Sequence, residues 1–380
     1  MKQTFSYHIP VVASTAGKAS EAIFDRSIER FEKGEYLKAF HLLLDSIDKE
    51  IRVKYGNTGG TEFCIPHGPL FIRMKVEDEN LSIRAPFVTL PEKNRIPMMR
   101  QLVGLNFSDL DLAKLVWKEG GLYFDYSCPL FWSHPRKIYY VLKEICRCGS
   151  RYDNEFQEEF QAERLEAPAF VPYAPETVDY ICEAVRQSCE ECLEALKFFE
   201  PSRQFIDMCD VISMTLLKIM YVAHPQGKLF HTLEKAIRDM DRNIPLATVV
   251  ADGKRMIEEL QEKPREEWEK YLYFTETLIS GKPSSNLQNI REEYERCYKQ
   301  VSAWMESGAY RDVCIRISCK FYETYYYNQM QAELDAILSK ALEEASALSW
   351  DKAAFILYEA LENIMRPPFR QREDCVSAAA

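Results

Sequence analysis

The sequence contains no glycine-rich phosphate loop, no Gly-x-Ser-x-Gly elbow and no His-Glu-x-x-His run. The commonest nucleotide-binding, serine-hydrolase and zinc-protease chemistries therefore have no motif to stand on. No apolar stretch reaches the roughly 18 residues that a bilayer span needs. Met1 to Ser20 lacks the charged region followed by a long apolar run that marks a signal peptide. Basic charge is short as well: 48 Lys and Arg against 59 Asp and Glu leave a formal charge of -11 over 380 residues. With no local basic patch to offset it, that balance repels nucleic-acid phosphates and anionic membranes. The expectation is a cytoplasmic protein with neither nucleic acid nor membrane as partner.

The 12 cysteines are scattered along a long, charged chain, without the dense spacing of a disulfide-stapled domain. Cys189 and Cys192 form a CxxC, but Ile181, Val185, Cys189, Cys192 and Leu196 recur at three- and four-residue steps, and small apolar core residues are the simpler reading. Cys146 and Cys148 stand too close for a zinc knuckle, and Cys64 with His67 has no second pair to complete a tetrahedron. Reduced thiols, no metal and no cofactor are expected.

What the chain does have is one stretch of sheet among helices. Leu70, Ile72, Met74 and Val76 alternate with Phe71, Arg73, Lys75 and Glu77, the period of a strand with one buried face. Asp78, Glu79 and Asn80 supply a turn, and Leu81, Ile83, Ala85 and Phe87 continue on a partner strand. Pro86, which has no N–H to give to a ladder, is expected to point outward or lie on an edge. Met98, Leu102 and Leu105, with Met99 and Val103 beside them, then mark a helical stripe. Leu112 to Lys118 and Leu122 to Tyr126 follow as two strands joined through Glu119, Gly120 and Gly121, where the glycines can take positive φ. With Thr61 to Ile65 as a short first strand, the order is helix, three strands, helix, two strands, helix.

That order, carried by Ala85-Pro86-Phe87, Leu90-Pro91, Asn94, Leu102 and Asn106, then Leu115, the glycine hairpin, Leu122 and Pro129-Leu130, resembles the type III secretion chaperone-like fold shared with the YbjN-like family. The resemblance covers a quarter to a third of the chain. It implies a small α+β module, often a homodimer, that holds or regulates another protein without catalysis. The chain departs from free-standing chaperones of this kind by its long helical second half.

A helix from Ser20, with Ser20 able to cap it, carries Ile23, Phe24, Ile28 and Phe31 on one side and stops at Gly34. A second, from about Glu35, carries Tyr36, Ala39, Leu43, Ile47 and Ile51 until Gly56, Gly59 and Gly60. The pair resembles a tetratricopeptide-like hairpin. Its spacing returns at Gly308, Tyr310, Val313 and Ile317 and at Trp350, Ala353, Leu357 and Ala360, without a regular period. Pro135 suits the first turn of a helix from about His134 to Cys148. Charge and then Pro168, Pro172 and Pro175 mark a linker. After it, breakers at Pro201, His224-Pro225-Gln226-Gly227, Pro245, Pro264 and Gly281-Lys282-Pro283 divide helix-sized intervals. The fold class is α+β, a chaperone-like antiparallel sheet with helices plus an all-helical C-terminal domain. Its parts are a hairpin over 20–56, the α+β domain over 57–150, a linker over 151–176 and the helical domain over 177–366. Residues 1–19 read as a flexible or extended lead-in, and 366–380 as a loose tail.

The acid pairs Glu190-Glu191, Glu258-Glu259, Glu266-Glu267, Glu292-Glu293 and Glu343-Glu344 read as solvated helix faces. His67 would need an orienting carboxylate and a cleft to act as a base, and reads more simply as a turn residue. The run Phe321, Tyr322, Tyr325, Tyr326 and Tyr327 holds too many rings for one stripe, so one or two are expected partly exposed on a contact surface; aromatics buried between stacked hairpins are the simpler reading. Trp117 with Phe131 and Trp132 past the last strand would cap the sheet or mark a partner surface. Candidate partner-binding residues are thus Trp117, Phe131, Trp132, Tyr322, Tyr325 and Tyr326, and the expected function is binding of a protein client. The alternatives are an enzyme with a site between the two domains, using His67 or a cysteine, and a structural subunit of a homo-oligomer.

Overall fold

The computed structural model describes residues 4–12, 20–241, 243–280, 282–283 and 286–366. The architecture is α+β, a five-stranded antiparallel sheet with helices followed by a helical region. The chain runs α1 (Glu21–Glu32), α2 (Tyr36–Ile47), α3 (Ile51–Tyr55), β1 (Glu62–His67), β2 (Leu70–Glu77), β3 (Asn80–Thr89), α4 (Arg95–Ser108), β4 (Lys114–Lys118), β5 (Gly121–Pro129) and α5 (Pro135–Phe160). It then crosses through β6 (Val171–Pro172) to α6 (Pro175–Phe199), α7 (Phe205–Ala223), α8 (Gly227–Asp239), α9 (Leu246–Glu262) and α10 (Arg265–Glu269). β7 (Tyr273–Phe274), α11 (Leu287–Ser307), α12 (Tyr310–Tyr327), α13 (Ala332–Glu344) and α14 (Trp350–Met365) complete it.

The sheet order is β1-β2-β3-β5-β4. Alternation does what period two requires: Ile65, Ile72, Met74, Leu81, Ile83, Leu115, Leu122 and Phe124 are buried on one face, where Phe40, Leu43, Val141, Leu142 and Ile145 of the helices join the same core. The other face is wet and charged. Arg73 lies opposite Arg84, and each cation has its own acid, Glu166 at 2.7 Å and Asp125 at 2.9 Å.

Several local expectations are changed by packing. Pro86 neither points outward nor lies on an edge; it is buried on the central strand β3, at the place where pairing lapses. The β2 ladder ends at Arg73 opposite Arg84, and the β5 register shifts between Pro86 and Thr89. The vacated side of β3 is taken over by the crossing segment: Leu165 N–H donates to the Phe87 carbonyl at 3.0 Å, and Thr89 N–H to the Glu163 carbonyl at 2.7 Å. In the last hairpin the positive φ falls on Glu119 (52°) and Gly120 (81°). Gly121 is needed for another reason, since a Cβ there would stand 2.5 Å from Leu165 Cδ1.

Ser20 sits at the N-cap of α1 but makes no side-chain cap bond. The second helix breaks after Ile47, and Ile51 begins α3. The helix expected to end near Cys148 continues through Gly149 to Phe160, so the first ten residues of the expected linker, 151–160, are helical. Asp153 on that extension is almost fully buried and holds Arg164 with two nitrogens, Nε at 2.9 Å and Nη2 at 2.6 Å.

Two apolar cores result. One unites α2, the sheet, α4 and α5; the other unites α6 to α14. Leu278 and Ile279, in the loop between β7 and α11, leave the helical half and bury themselves in the sheet's core, each contributing on the order of 2 kcal/mol by the usual transfer scale. The hairpin spacing noted in the sequence falls on buried positions: Val313, Ile317, Ala353, Leu357 and Ala360 are all in the helical core, and Gly308, like Gly34, carries positive φ between two helices. Residues 4–12 of the lead-in are extended and packed on the helical half. Residues 13–19, Gly281 and the tail beyond Arg366 lie outside the described residues. No described helix is long and apolar enough to cross a membrane.

Candidate functional site

Helix α4 is apolar on two sides. Met98, Leu102 and Leu105 enter the core, while Ile96, Val103 and Phe107 are 67%, 53% and 89% exposed. At 100° per residue, positions i, i+7 and i+11 lie within about 40° of each other, so the exposed trio forms one stripe along the helix. The stripe borders an open groove of about 520 Å³ lined by Val103, Asn106, Phe107, Leu110, Asp111 and Lys114. At the other end of the helix Arg95 lies over the ring of Trp117, 5.4 Å from its centroid, and Trp117 is 54% exposed. The helix packs beside β4, with the groove at one end and Arg95 over Trp117 at the other.

The edge of β4 beneath this face is blunted. Asn106 accepts from Leu115 N–H at 2.8 Å and donates to the Leu115 carbonyl at 2.9 Å, filling the ladder position a foreign strand would use. Glu144 accepts from Ala113 N–H at 3.0 Å. The surface thus offers side chains rather than a strand edge. Lys93, Arg95 and Arg100 are exposed on α4 and its approach, and among the described residues no acid lies within ion-pair distance of them. On a chain of net charge -11 these cations flank the apolar stripe, while Asp111 and Lys114 share its groove.

The sequence-predicted contact residues divide three ways. Trp117 belongs to the face just described. Phe131 and Trp132 are 52% and 61% exposed but are not beside Trp117: Trp117 pairs with Leu122 at the start of β5, whereas Phe131 follows its end. Strand rise puts them roughly 25 Å apart. Tyr322 and Tyr325 are buried, a correction to their expected surface role. Tyr221 takes both rings at 5.6 and 4.4 Å, and the Tyr325 hydroxyl donates to Asp335 Oδ1 at 2.8 Å. Burial, more than any nearby charge, pushes both phenols far above their ordinary range. Tyr326 is half-buried, stacked edge-on against exposed Tyr327. Sequence periodicity missed Ile96, Val103 and Phe107; the signal that could have found them is their common helical angle, opposite the core stripe.

His67 does lie between the two halves of the chain, but both its nitrogens are committed. Nδ1 accepts from Leu278 N–H at 3.0 Å, which places the proton of the neutral ring on Nε2, 3.3 Å from Ser150 Oγ. A ring donating to a serine hydroxyl is in the wrong tautomer to deprotonate it. Burial lowers its pKa to about 4. The thiols are muted in the same way: burial pushes Cys189 and Cys192 up to about 12 and Cys148 up to about 11. No group of three or more metal-ligating side chains occurs among the described residues. Compared with protein-family models, curated proteins and solved structures, the chain finds no match in any of the three.

Proposed function

We propose that the chain is a protein-binding module, chaperone-like or regulatory in use and working without a catalytic step, and that the α4 face with Trp117 is where it grips its client. The observation that supports this most is the exposed stripe of Ile96, Val103 and Phe107, an apolar surface kept on a helix that already has a full core stripe. Contiguous apolar patches of this kind are the mark of contact surfaces on soluble proteins. Lys93, Arg95 and Arg100 along the stripe favour as occupant an apolar segment with acidic neighbours. Since Asn106 closes the β4 edge, the client is held by side-chain packing rather than by strand addition. His67 in its donating tautomer and the muted thiols support binding over reaction. Free thiols among the described cysteines fit the reducing environment of the cytoplasm, where we place the protein.

The test compares full-length wild type with a Val103→Asp/Phe107→Asp variant in capture from source lysate and in native mass measurement. Expected is a protein retained by the wild type, released by rising salt and lost from the variant. A set of captured proteins identical for the two, or a wild-type dimer that the substitutions convert to a monomer, overturns the client reading.

A further inference from the structure

Residues 4–12 form no part of the sheet and lie extended over the helical half. Their bonds run to helix ends and side chains. Thr4 gives its N–H to the Leu348 carbonyl at 2.8 Å and its hydroxyl to the Ala345 carbonyl at 2.6 Å. Ser6 donates its N–H to both carboxylate oxygens of Glu191 at 3.1 Å and its hydroxyl to Oε1 at 2.5 Å. The Tyr7 and Tyr221 hydroxyls meet at 3.0 Å, Tyr180 donates to the Ile9 carbonyl at 2.9 Å, and Val11 N–H reaches the Val222 carbonyl at 3.1 Å. Phe5 sits edge-on to Trp350, ring centroids 5.9 Å apart. This alternation of backbone bonds and ring pockets is how a groove holds a peptide.

The fit is incomplete beneath the segment. A small space of about 20 Å³ is lined by Thr4 to Tyr7 of the segment and by Lys218 of α7, which is 2% exposed. The Lys218 ammonium is held by Glu191 alone, at 3.6 Å. His8 Nε2 in the segment and Trp350 Nε1 beneath Phe5 are buried with no hydrogen-bond partner among the described residues. A segment that met these groups would fit the groove better than residues 4–12 do, because a buried polar group without a partner is destabilising.

We propose that this groove over α6, α7 and the α13–α14 corner is a second protein-binding site, that residues 4–12 are its internal occupant, and that its external ligand is an extended segment of another protein with an aromatic–small hydroxyl–aromatic pattern. The Phe5-Ser6-Tyr7 triplet is the template: rings toward Trp350 and Tyr221, a hydroxyl toward Glu191. The internal occupant competes at the high effective concentration of a tethered group, so the site is masked until the segment lifts. The groove lies on the helical half, away from α4, and the two sites stand or fall separately.

The experiment measures binding of a fluorescent peptide with the sequence of residues 4–12 to the full-length chain by anisotropy. Ser6→Asp in the protein sets a carboxylate against Glu191 and lifts the segment; it is expected to bind the wild-type peptide at least tenfold more tightly than the unaltered chain does. The same peptide carrying Asp for Ser6 is expected not to bind. Phe5→Ala/Tyr7→Ala, which only removes the rings, is the second protein variant and is expected to show the same gain, so the test holds even where Ser6→Asp does not fold. Equal affinity in the unaltered chain and in the folded variants overturns the proposal, and so does a gain that the Asp-bearing peptide shares.

Discussion

Asn106 on α4 folds its carboxamide onto Leu115 of β4, accepting from the backbone N–H at 2.8 Å and donating to the carbonyl at 2.9 Å. One side chain thereby does the work of a missing sixth strand. Asn106→Ala is expected to cost on the order of 2 kcal/mol, two hydrogen bonds to part-buried backbone groups being lost. It also opens the edge. Sedimentation at rising concentration should show self-association in this variant, and Val103→Asp/Phe107→Asp should not produce it. A variant that stays as stable and as monodisperse as the wild type would show the edge is guarded by something else.

The β2–β3 hairpin turns on Asp78 and Glu79, with φ of 49° and 58°. Both positions belong to the left-handed region that glycine and asparagine prefer, and a two-residue turn of this hand is where they are normally found. Glu79→Gly is expected to stabilise the protein by about 0.5 to 1 kcal/mol, seen as a higher urea midpoint with an unchanged slope. A lower midpoint would contradict the turn geometry.

Gly149 lies within α5, where alanine would ordinarily help by about 1 kcal/mol. Here a Cβ would stand 2.1 Å from Leu70 Cδ1, so Gly149→Ala is expected to destabilise, by about 1 to 3 kcal/mol as overpacked cores do. Combining it with Leu70→Ala should cost less than the sum of the two single changes. Strict additivity in that cycle would mean the helix and β2 do not press on each other.

The His67 ring is held neutral by burial, its pKa lowered from 6.5 to about 4. In the unfolded chain it binds a proton at ordinary pH values below 6.5, so the folded state loses ground as pH falls. The contribution is complete above about pH 6.5 and gone by about pH 4, amounting to about 3 kcal/mol for a shift of this size. His67→Gln, which can accept from Leu278 N–H without titrating, should flatten the curve of stability against pH in that window. Urea midpoints from pH 7 to 4.5 decide it; parallel curves for the two proteins would place the sensitivity elsewhere.

The strands were legible because residues such as Ile72, Met74 and Ile83 alternate in exact register with a single buried face. Where local pattern and long-range packing disagreed, the sequence misled. Gly149 looks like a helix stop, but close approach to Leu70 is what fixes glycine there, and α5 runs on. Pro86 looks like an edge residue, and the segment around Glu163 to Leu165, distant in sequence, supplies the partners that make a central position tolerable. Of the six aromatic contact candidates, Trp117 and the Phe131-Trp132 pair are at the surface. Tyr322 and Tyr325 sit inside because Tyr221, about a hundred positions upstream, comes to meet them. The α4 face was half visible: Met98, Leu102 and Leu105 name the helix, and the second stripe emerges only once the first is known to be filled.

Thr4 rests on Ala345 and Leu348, hydrogen-bonded across 341 and 344 positions. During translation, which adds on the order of 5 to 20 residues each second, residues 4–12 therefore wait roughly 20 to 70 seconds before their seat is made. For that interval Phe5 lacks Trp350 and Tyr7 lacks Ser346. The seating of residues 4–12 therefore has to follow the synthesis of the α13–α14 corner.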